Sequence, residues 1–155
     1  MTNIEKTIQN LEKIYKELPV LAEEIPSIRE EFDMENYGCY NYSTIGNTVC
    51  KSHGCGLGNA ARLFDLSKDM YYDNKGGFDY RLFSKDILPS IGNCWLPASS
   101  LWYYLFSSDW GEDYSNYETF DYFIKRVGNT IQLLKERGVC AVGFDPKVSN
   151  NLKTL

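Results

Sequence analysis

The chain has 155 residues, of which 43% are hydrophobic, 24% charged and 15% aromatic, and these values fit one globular domain. Sixteen Lys and Arg residues stand against 21 Asp and Glu residues, which gives a formal net charge of -5. The composition excludes a disordered chain, and the acidic balance disfavours non-specific binding to nucleic acid.

Targeting and cysteine usage predict the compartment. Charged residues interrupt the first twenty positions, and no run of eighteen apolar residues occurs, so we expect neither a secretory leader nor a membrane span. Five cysteines at irregular spacing favour reduced thiols. The sequence therefore predicts a cytoplasmic protein with one domain over 1–145 and a loose tail over 146–155.

The first predicted element is an amphipathic helix. Thr2 and Glu5 can form a capping box, and the helical period is expected to end at Pro19. A shorter helical turn is expected after Pro26. The apolar stripe of the first helix comprises Ile4, Ile8, Leu11, Tyr15 and Leu18.

Residues 34–48 mix turn formers with aromatic residues and predict an ordered loop. Ser52 can cap a following helix in which Gly56 and Gly58 allow another element to come close. This helix has an apolar face of Leu57, Ala60, Ala61 and Phe64. The turn at 73–77 predicts either a short β-hairpin over 70–83 or a loop between helices.

The C-terminal half completes a mainly α, compact helical domain. Pro97 fits the first turn of a helix that includes Leu105, and Thr119 can cap a long final helix that closes at Gly138. The apolar run over 139–144 predicts an extended segment. The stripe of the final helix comprises Phe120, Phe123, Ile124, Val127, Ile131 and Leu134.

Residues 50–59 bring two thiols and the chain's only histidine to a helix start, and three chemistries compete for this cluster. Cys39, Cys50, His53 and Cys55 could bind zinc, although the spacing differs from that of a zinc knuckle. Cys50 or Cys55 with His53 could instead serve a cysteine-dependent hydrolase or transferase.

The third chemistry is anion binding at the glycine-rich helix start. The alternative that we favour is a purely structural role, in which the cysteines are buried and the glycines allow close packing. If a ligand binds, Trp95 and Trp110 could stack on a base, and Arg81 is a further cation that could meet a phosphate. The candidate ligand-binding residues are Lys51, His53, Asn59, Arg62, Trp95 and Trp110.

Three motifs resemble a group of small bacterial and phage proteins. They are Phe32-Asp33-Met34 followed by Tyr37, the Cys50-x4-Cys55-x2-Gly58-x-Ala60 spacing, and Leu105-Phe106 before a terminal helix. The resemblance spans residues 26–137. It implies an architecture and a bacterial or phage habitat rather than an activity.

The habitat implied by the resemblance suggests a non-enzymatic phage accessory protein for counter-defence in the host cytoplasm. By analogy, it would occupy a host immune protein or sequester a nucleotide-like immune signal, with no membrane partner and with a homo-oligomer as one option. We expect no cofactor under this hypothesis. The alternatives are the cysteine-dependent enzyme and a zinc-stabilised interaction module.

Overall fold

The computed structural model describes residues 1–32, 56–65, 67–72, 79–91, 105–106 and 119–137. The helices in this part are α1 (Asn3–Glu24), α2 (Ser27–Glu30), α3 (Gly56–Ala60), α4 (Tyr80–Ile87) and α5 (Thr119–Arg137). Two 3-10 helices lie at Ala61–Leu63 and Asp69–Tyr71. Because the described residues form helices and no strand, the predicted mainly α class is confirmed.

Helix α1 begins as the sequence predicts. The Thr2 hydroxyl accepts a hydrogen bond from the Glu5 backbone N–H at 3.1 Å, and the Glu5 carboxylate accepts one from the Thr2 N–H at 2.9 Å. This capping box satisfies two N–H groups that have no partner within the helix.

The buried face of α1 is rotated relative to the predicted stripe. Tyr15 is 45% exposed, so its predicted place in the core is wrong, and Ile14 is buried instead. The buried positions recur every three or four residues, as one helix face requires. They are Thr7, Leu11, Ile14, Leu18 and Ala22.

Pro19 lies inside α1 and does not end it, which corrects the predicted boundary. Proline lacks the N–H that would bond to the carbonyl of Tyr15, so the extra turn lacks one helical hydrogen bond. Leu18 and Ala22 are nevertheless buried on either side of it. Burial of this apolar face offsets the low helix propensity of proline.

The main helix contact joins α1 to α5. A Cβ atom at Gly128 would lie 2.9 Å from the Cε2 atom of Tyr15, so glycine permits the close approach of the two helices at this level. The Lys135 ammonium lies 3.6 Å from the Glu12 carboxylate at the edge of the same contact. Helix α5 spans Thr119–Arg137, which confirms the predicted long final helix, with Thr119 as its first residue rather than its cap.

Of the two alternatives predicted over 70–83, the β-hairpin is wrong for residues 80–83, which belong to α4. In the described part of this range, a single β-bridge residue occurs at Tyr72, and the Asp79 N–H donates to the Tyr71 carbonyl at 2.6 Å. Residues 80–83 form the first turn of the helix, and the Asp79 carboxylate caps it by accepting from the Leu82 N–H at 3.0 Å. Upstream, residues 69–71 form a 3-10 turn. A capped helix start explains the alternation of polar and apolar residues here as well as a strand would.

Replacing Asp79 by Ala should lower the free energy of unfolding by about 1 kcal/mol, because the Leu82 N–H loses its acceptor. Asp79→Asn is the matched control, since asparagine retains an oxygen that can accept the same bond. Urea unfolding of both variants checks this. Equal losses in the two variants would show that charge, rather than the cap, sets the effect.

Polar side chains hold α4 against α1. The Asn10 amide donates to the Ile87 carbonyl at 2.6 Å, and the Thr7 hydroxyl accepts from the Ser90 N–H at 3.0 Å. Asp86 accepts hydrogen bonds from Tyr71 and Lys68. The Asn10 bond satisfies the Ile87 carbonyl, one of the last carbonyls of α4, which have no partner within the helix. The Asp86 bonds join α4 to the 3-10 turn at Asp69–Tyr71.

Two aromatic clusters fill the core. Phe123 contacts Phe32 and Phe106 at ring-centroid distances of 5.8 Å and 6.2 Å. Phe83 contacts Tyr71 and Phe64 edge-on at 5.3 Å and 5.9 Å. The predicted loop at 34–48, most of the predicted helix after Pro97, the extended segment at 139–144 and the tail lie outside the described residues.

Candidate functional site

The described part of the glycine-rich helix start lies in the core. Helix α3 packs against α1 and α4, and Gly58, Asn59, Ala60 and Ala61 are buried. This arrangement agrees with the expectation that a glycine here lets another element come close.

Two of the predicted ligand-binding residues fall in the described structure. Asn59 is fully buried in α3, and Arg62 is half-buried three residues later. Asn59 therefore has a core position rather than a surface one.

The other predicted site residues lie outside the described residues, or have side chains that are not described. The structure therefore neither assembles nor separates the predicted catalytic and zinc sets. These residues are Cys39, Cys50, Lys51, His53, Cys55, Arg81, Trp95 and Trp110.

Asp65 follows the 3-10 turn that contains Arg62. A hydrogen bond from the Ser67 side chain, reinforced by the Ser67 backbone N–H, holds the pKa of Asp65 below its usual value. The backbone bond is 2.9 Å long. Asp65 therefore remains a negative charge to lower pH than an ordinary aspartate.

Helix α5 carries a second buried face that the apolar period does not predict. We call Tyr122, Arg126, Asn129 and Thr130 the polar face of α5; all four are buried. Their spacing places them about one turn apart along one side of the helix, away from the side on which Gly128 meets Tyr15. Helix α5 is thus buried on an apolar side and on a polar side.

Arg126 is the largest fully buried side chain of the described residues, at 1% exposure. Its guanidinium carbon lies 4.9 Å from the centroid of the Tyr122 ring, which is a cation–π distance. Thr130 donates its hydroxyl to the Arg126 carbonyl at 2.8 Å. Burial of a guanidinium is costly unless its charge and its donors are compensated.

The polar face offers a definite set of recognition groups. Arg126 supplies up to five N–H donors in a planar fork that matches a phosphate or a carboxylate. Asn129 adds an amide that can both donate and accept. Both side chains are buried.

Sequence reasoning missed Arg126 and Asn129 because charged and amide side chains are usually assigned to solvent. One signal was present in the sequence. Leu133 continues the line of Tyr122, Arg126 and Asn129 at helical spacing, and it is buried too. Apolar or aromatic residues at both ends of a polar line are consistent with a second buried face.

A separate surface lies where α1 meets α2. We call Val20, Glu23, Glu24, Ile25 and Glu30 the α1–α2 corner; all five are exposed. Val20 is 54% exposed and is one helical turn from both Glu23 and Glu24. The corner combines uncovered apolar side chains with three carboxylates.

Arg29, the basic residue of this stretch of chain, contacts α5. Its guanidinium forms an ion pair with Asp121 and lies 4.7 Å from the centroid of the Phe120 ring. The contact joins α2 to the first turn of α5. Arg29, the basic residue nearest in sequence to the three glutamates of the corner, therefore already has a carboxylate partner in Asp121.

The outer face of α1 borders an open groove of about 700 Å³ whose lining includes Gln9, Lys13 and Lys16. Lys13 lies 3.3 Å from Glu17, and Lys16 lies 4.0 Å from Glu12. Because its charges are paired along the helix, this face matches an ordinary solvated surface.

Among the described residues, none of the helices is long and apolar enough to cross a membrane. The same residues include no group of three His, Cys, Asp or Glu side chains placed to hold a metal ion. Comparisons of the chain with protein-family models, with curated proteins and with solved structures found no match.

Proposed function

We propose that the chain is a non-enzymatic binding protein that acts as a phage accessory factor in the host cytoplasm, where it sequesters a small nucleotide-like immune signal. The observation that carries this proposal is the full burial of Arg126 on the polar face of α5. A guanidinium has a permanent positive charge and a planar set of donors, so Arg126 can bind an anion in addition to the bonds that it makes within the chain.

The neighbours of Arg126 support a nucleotide-like ligand rather than a simple ion. Asn129 lies about one turn away and is buried as well, and its amide suits the edge of a base. The five donors of a guanidinium also allow Arg126 to bond within the chain and to hold a ligand group at once. A phosphate-bearing ligand with a base would use both residues.

Occupation of a host immune protein is the second candidate function. It is favoured by the exposed Val20 and Ile25 side chains of the α1–α2 corner. Exposed apolar side chains close in sequence to charged ones can contribute to a protein interface. The two candidates use different surfaces, so they can be tested separately.

The test of the first candidate is ligand-induced thermal stabilisation. Wild type and Arg126→Lys are heated with inorganic phosphate, AMP or a cyclic dinucleotide, and each shift is measured against the same variant without ligand. We expect a nucleotide to raise the melting temperature of wild type. The shift should fall at least about fivefold in Arg126→Lys, because lysine retains the charge but lacks the planar fork.

Two results would overturn this proposal. One is that no phosphate ligand shifts the melting temperature of wild type. The other is an undiminished shift in Arg126→Lys, which would make Arg126 a structural residue. Lys125→Gln is the control, because Lys125 is the exposed cation next to Arg126 on α5.

The alternatives from the helix start have their own tests. For the cysteine-dependent hydrolase or transferase, His53→Ala or Cys55→Ala would abolish turnover. For the zinc-stabilised module, a chelator would lower the melting temperature sharply, because the binding energy of a structural metal is folding energy. Neither treatment should affect the nucleotide-induced shift if the polar face of α5 binds the ligand.

A further inference from the structure

We propose that the α1–α2 corner docks on a lysine- and arginine-rich protein surface that offers a small apolar contact to Val20 and Ile25. This inference rests on the binding role proposed above and names the class of partner for its second candidate. It goes beyond the small ligand, because it concerns a different surface.

The α1–α2 corner exposes two apolar side chains to solvent. Val20 is 54% exposed and Ile25 is 36% exposed, although Leu18 and Ala22 beside Val20 are buried in the core. The corner therefore places apolar side chains in water at a bend between two helices. Their burial by a partner would stabilise a complex in proportion to the apolar area covered.

The negative charge of the corner indicates which kind of partner it would bind. Glu23, Glu24 and Glu30 are exposed within the same eleven residues of chain as Val20 and Ile25. The neighbouring cation, Arg29, is paired with Asp121. A partner with lysine or arginine at its rim is attracted to this pattern, and an acidic partner is repelled.

The same charges argue against the other occupants. Two copies of this chain meeting corner to corner would bring six carboxylates together, which repels them. Nucleic acid and anionic lipid carry the same sign of charge as the corner. The remaining occupant is a basic protein surface.

The test uses a designed amphipathic helical peptide that carries lysine on one face and leucine on the other. Backbone NMR shifts of the full chain are recorded during titration, with two comparison peptides that replace lysine by glutamate or leucine by serine. We expect shifts confined to residues 20–31 with the lysine–leucine peptide. Both comparison peptides should bind at least about tenfold more weakly.

Two triple variants that each remove three carboxylates distinguish an effect of the position of the carboxylates from an effect of the total charge of the protein. Glu23→Gln, Glu24→Gln and Glu30→Gln together should weaken peptide binding about tenfold. The control combines Glu17→Gln, Asp69→Asn and Glu136→Gln, which remove the same number of exposed carboxylates elsewhere. This control should change binding less than about twofold.

Three outcomes would overturn the inference: equal losses in the two triple variants, shifts outside residues 20–31, or equal binding of the leucine and serine peptides. Equal losses would mean that total charge, rather than the position of the carboxylates, controls binding. Shifts outside residues 20–31 would mean that the peptide binds another surface. Equal binding of the leucine and serine peptides would mean that Val20 and Ile25 do not contribute to affinity. Because none of these readouts involves Arg126 or a nucleotide, the failure of this inference and that of the proposed ligand remain distinguishable.

Discussion

Replacing Phe123 by Ala should lower the free energy of unfolding by about 3 to 5 kcal/mol. Phe123 is fully buried, and its ring contacts both Phe32 and Phe106. Truncation removes apolar area from the core and leaves a cavity that neighbouring rings cannot fill completely. Urea unfolding followed by circular dichroism measures the loss.

Two further variants test the explanation for Phe123. Phe123→Leu keeps most of the buried volume and should cost much less than Phe123→Ala. Lys125→Ala changes an exposed residue of the same helix and should stay within about 0.5 kcal/mol of wild type. A loss below about 1 kcal/mol in Phe123→Ala would contradict the placement of α5 against Phe32 and Phe106.

Arg126→Ala should lower the free energy of unfolding by about 3 kcal/mol or more, although loss of a charged helix residue is usually mild. Arg126 is 1% exposed, so truncation opens a large cavity beside α5. It also removes the cation–π contact with the Tyr122 ring. The measurement is the same urea unfolding experiment.

Arg126→Lys should cost less than Arg126→Ala, because lysine retains a positive charge and most of the aliphatic stem. The adjacent Lys125→Ala is again the matched control. If Arg126→Ala left the free energy of unfolding almost unchanged, the guanidinium would be accessible to water in solution. That result would contradict the polar face of α5 as a buried site.

Local signals in the sequence were enough for the two longest helices. The Thr2 and Glu5 pair specifies where α1 begins, because each residue satisfies a backbone N–H of the other. The apolar period of α5 from Phe120 to Leu134 predicts its core side, and all six stripe residues are buried or half-buried. Capping and periodicity depend on near neighbours only, so they can be read without tertiary structure.

Other features depend on contacts between distant residues. Pro19 would end an isolated helix, but α1 continues to Glu24, with Leu18 and Ala22 buried around the proline. Tyr15 has the right spacing for the core, yet its ring lies over Gly128 with almost half its surface exposed. Which helix face is buried was therefore decided by the approach of α5.

The candidate sites also depend partly on local sequence signals and partly on contacts between distant residues. The glycine-rich sequence around Asn59 predicted a helix start, but the burial of Asn59 and Arg62 depends on the packing of α3 against α1 and α4. Burial of Arg126 was not predicted, because charged side chains are usually assigned to solvent, and the line from Tyr122 to Leu133 was the one sequence signal for it. The α1–α2 corner depends equally on tertiary structure, since only packing shows that Val20 stays outside.

The most direct test of the proposed function is the mass of the protein as purified from cells that contain its ligand, recorded under native and then denaturing conditions. We predict an added small-molecule mass on the native protein that is released on denaturation and is absent from Arg126→Lys. A native mass equal to an integral multiple of the 17.8 kDa chain, with no released molecule, would contradict the sequestration of a nucleotide-like signal.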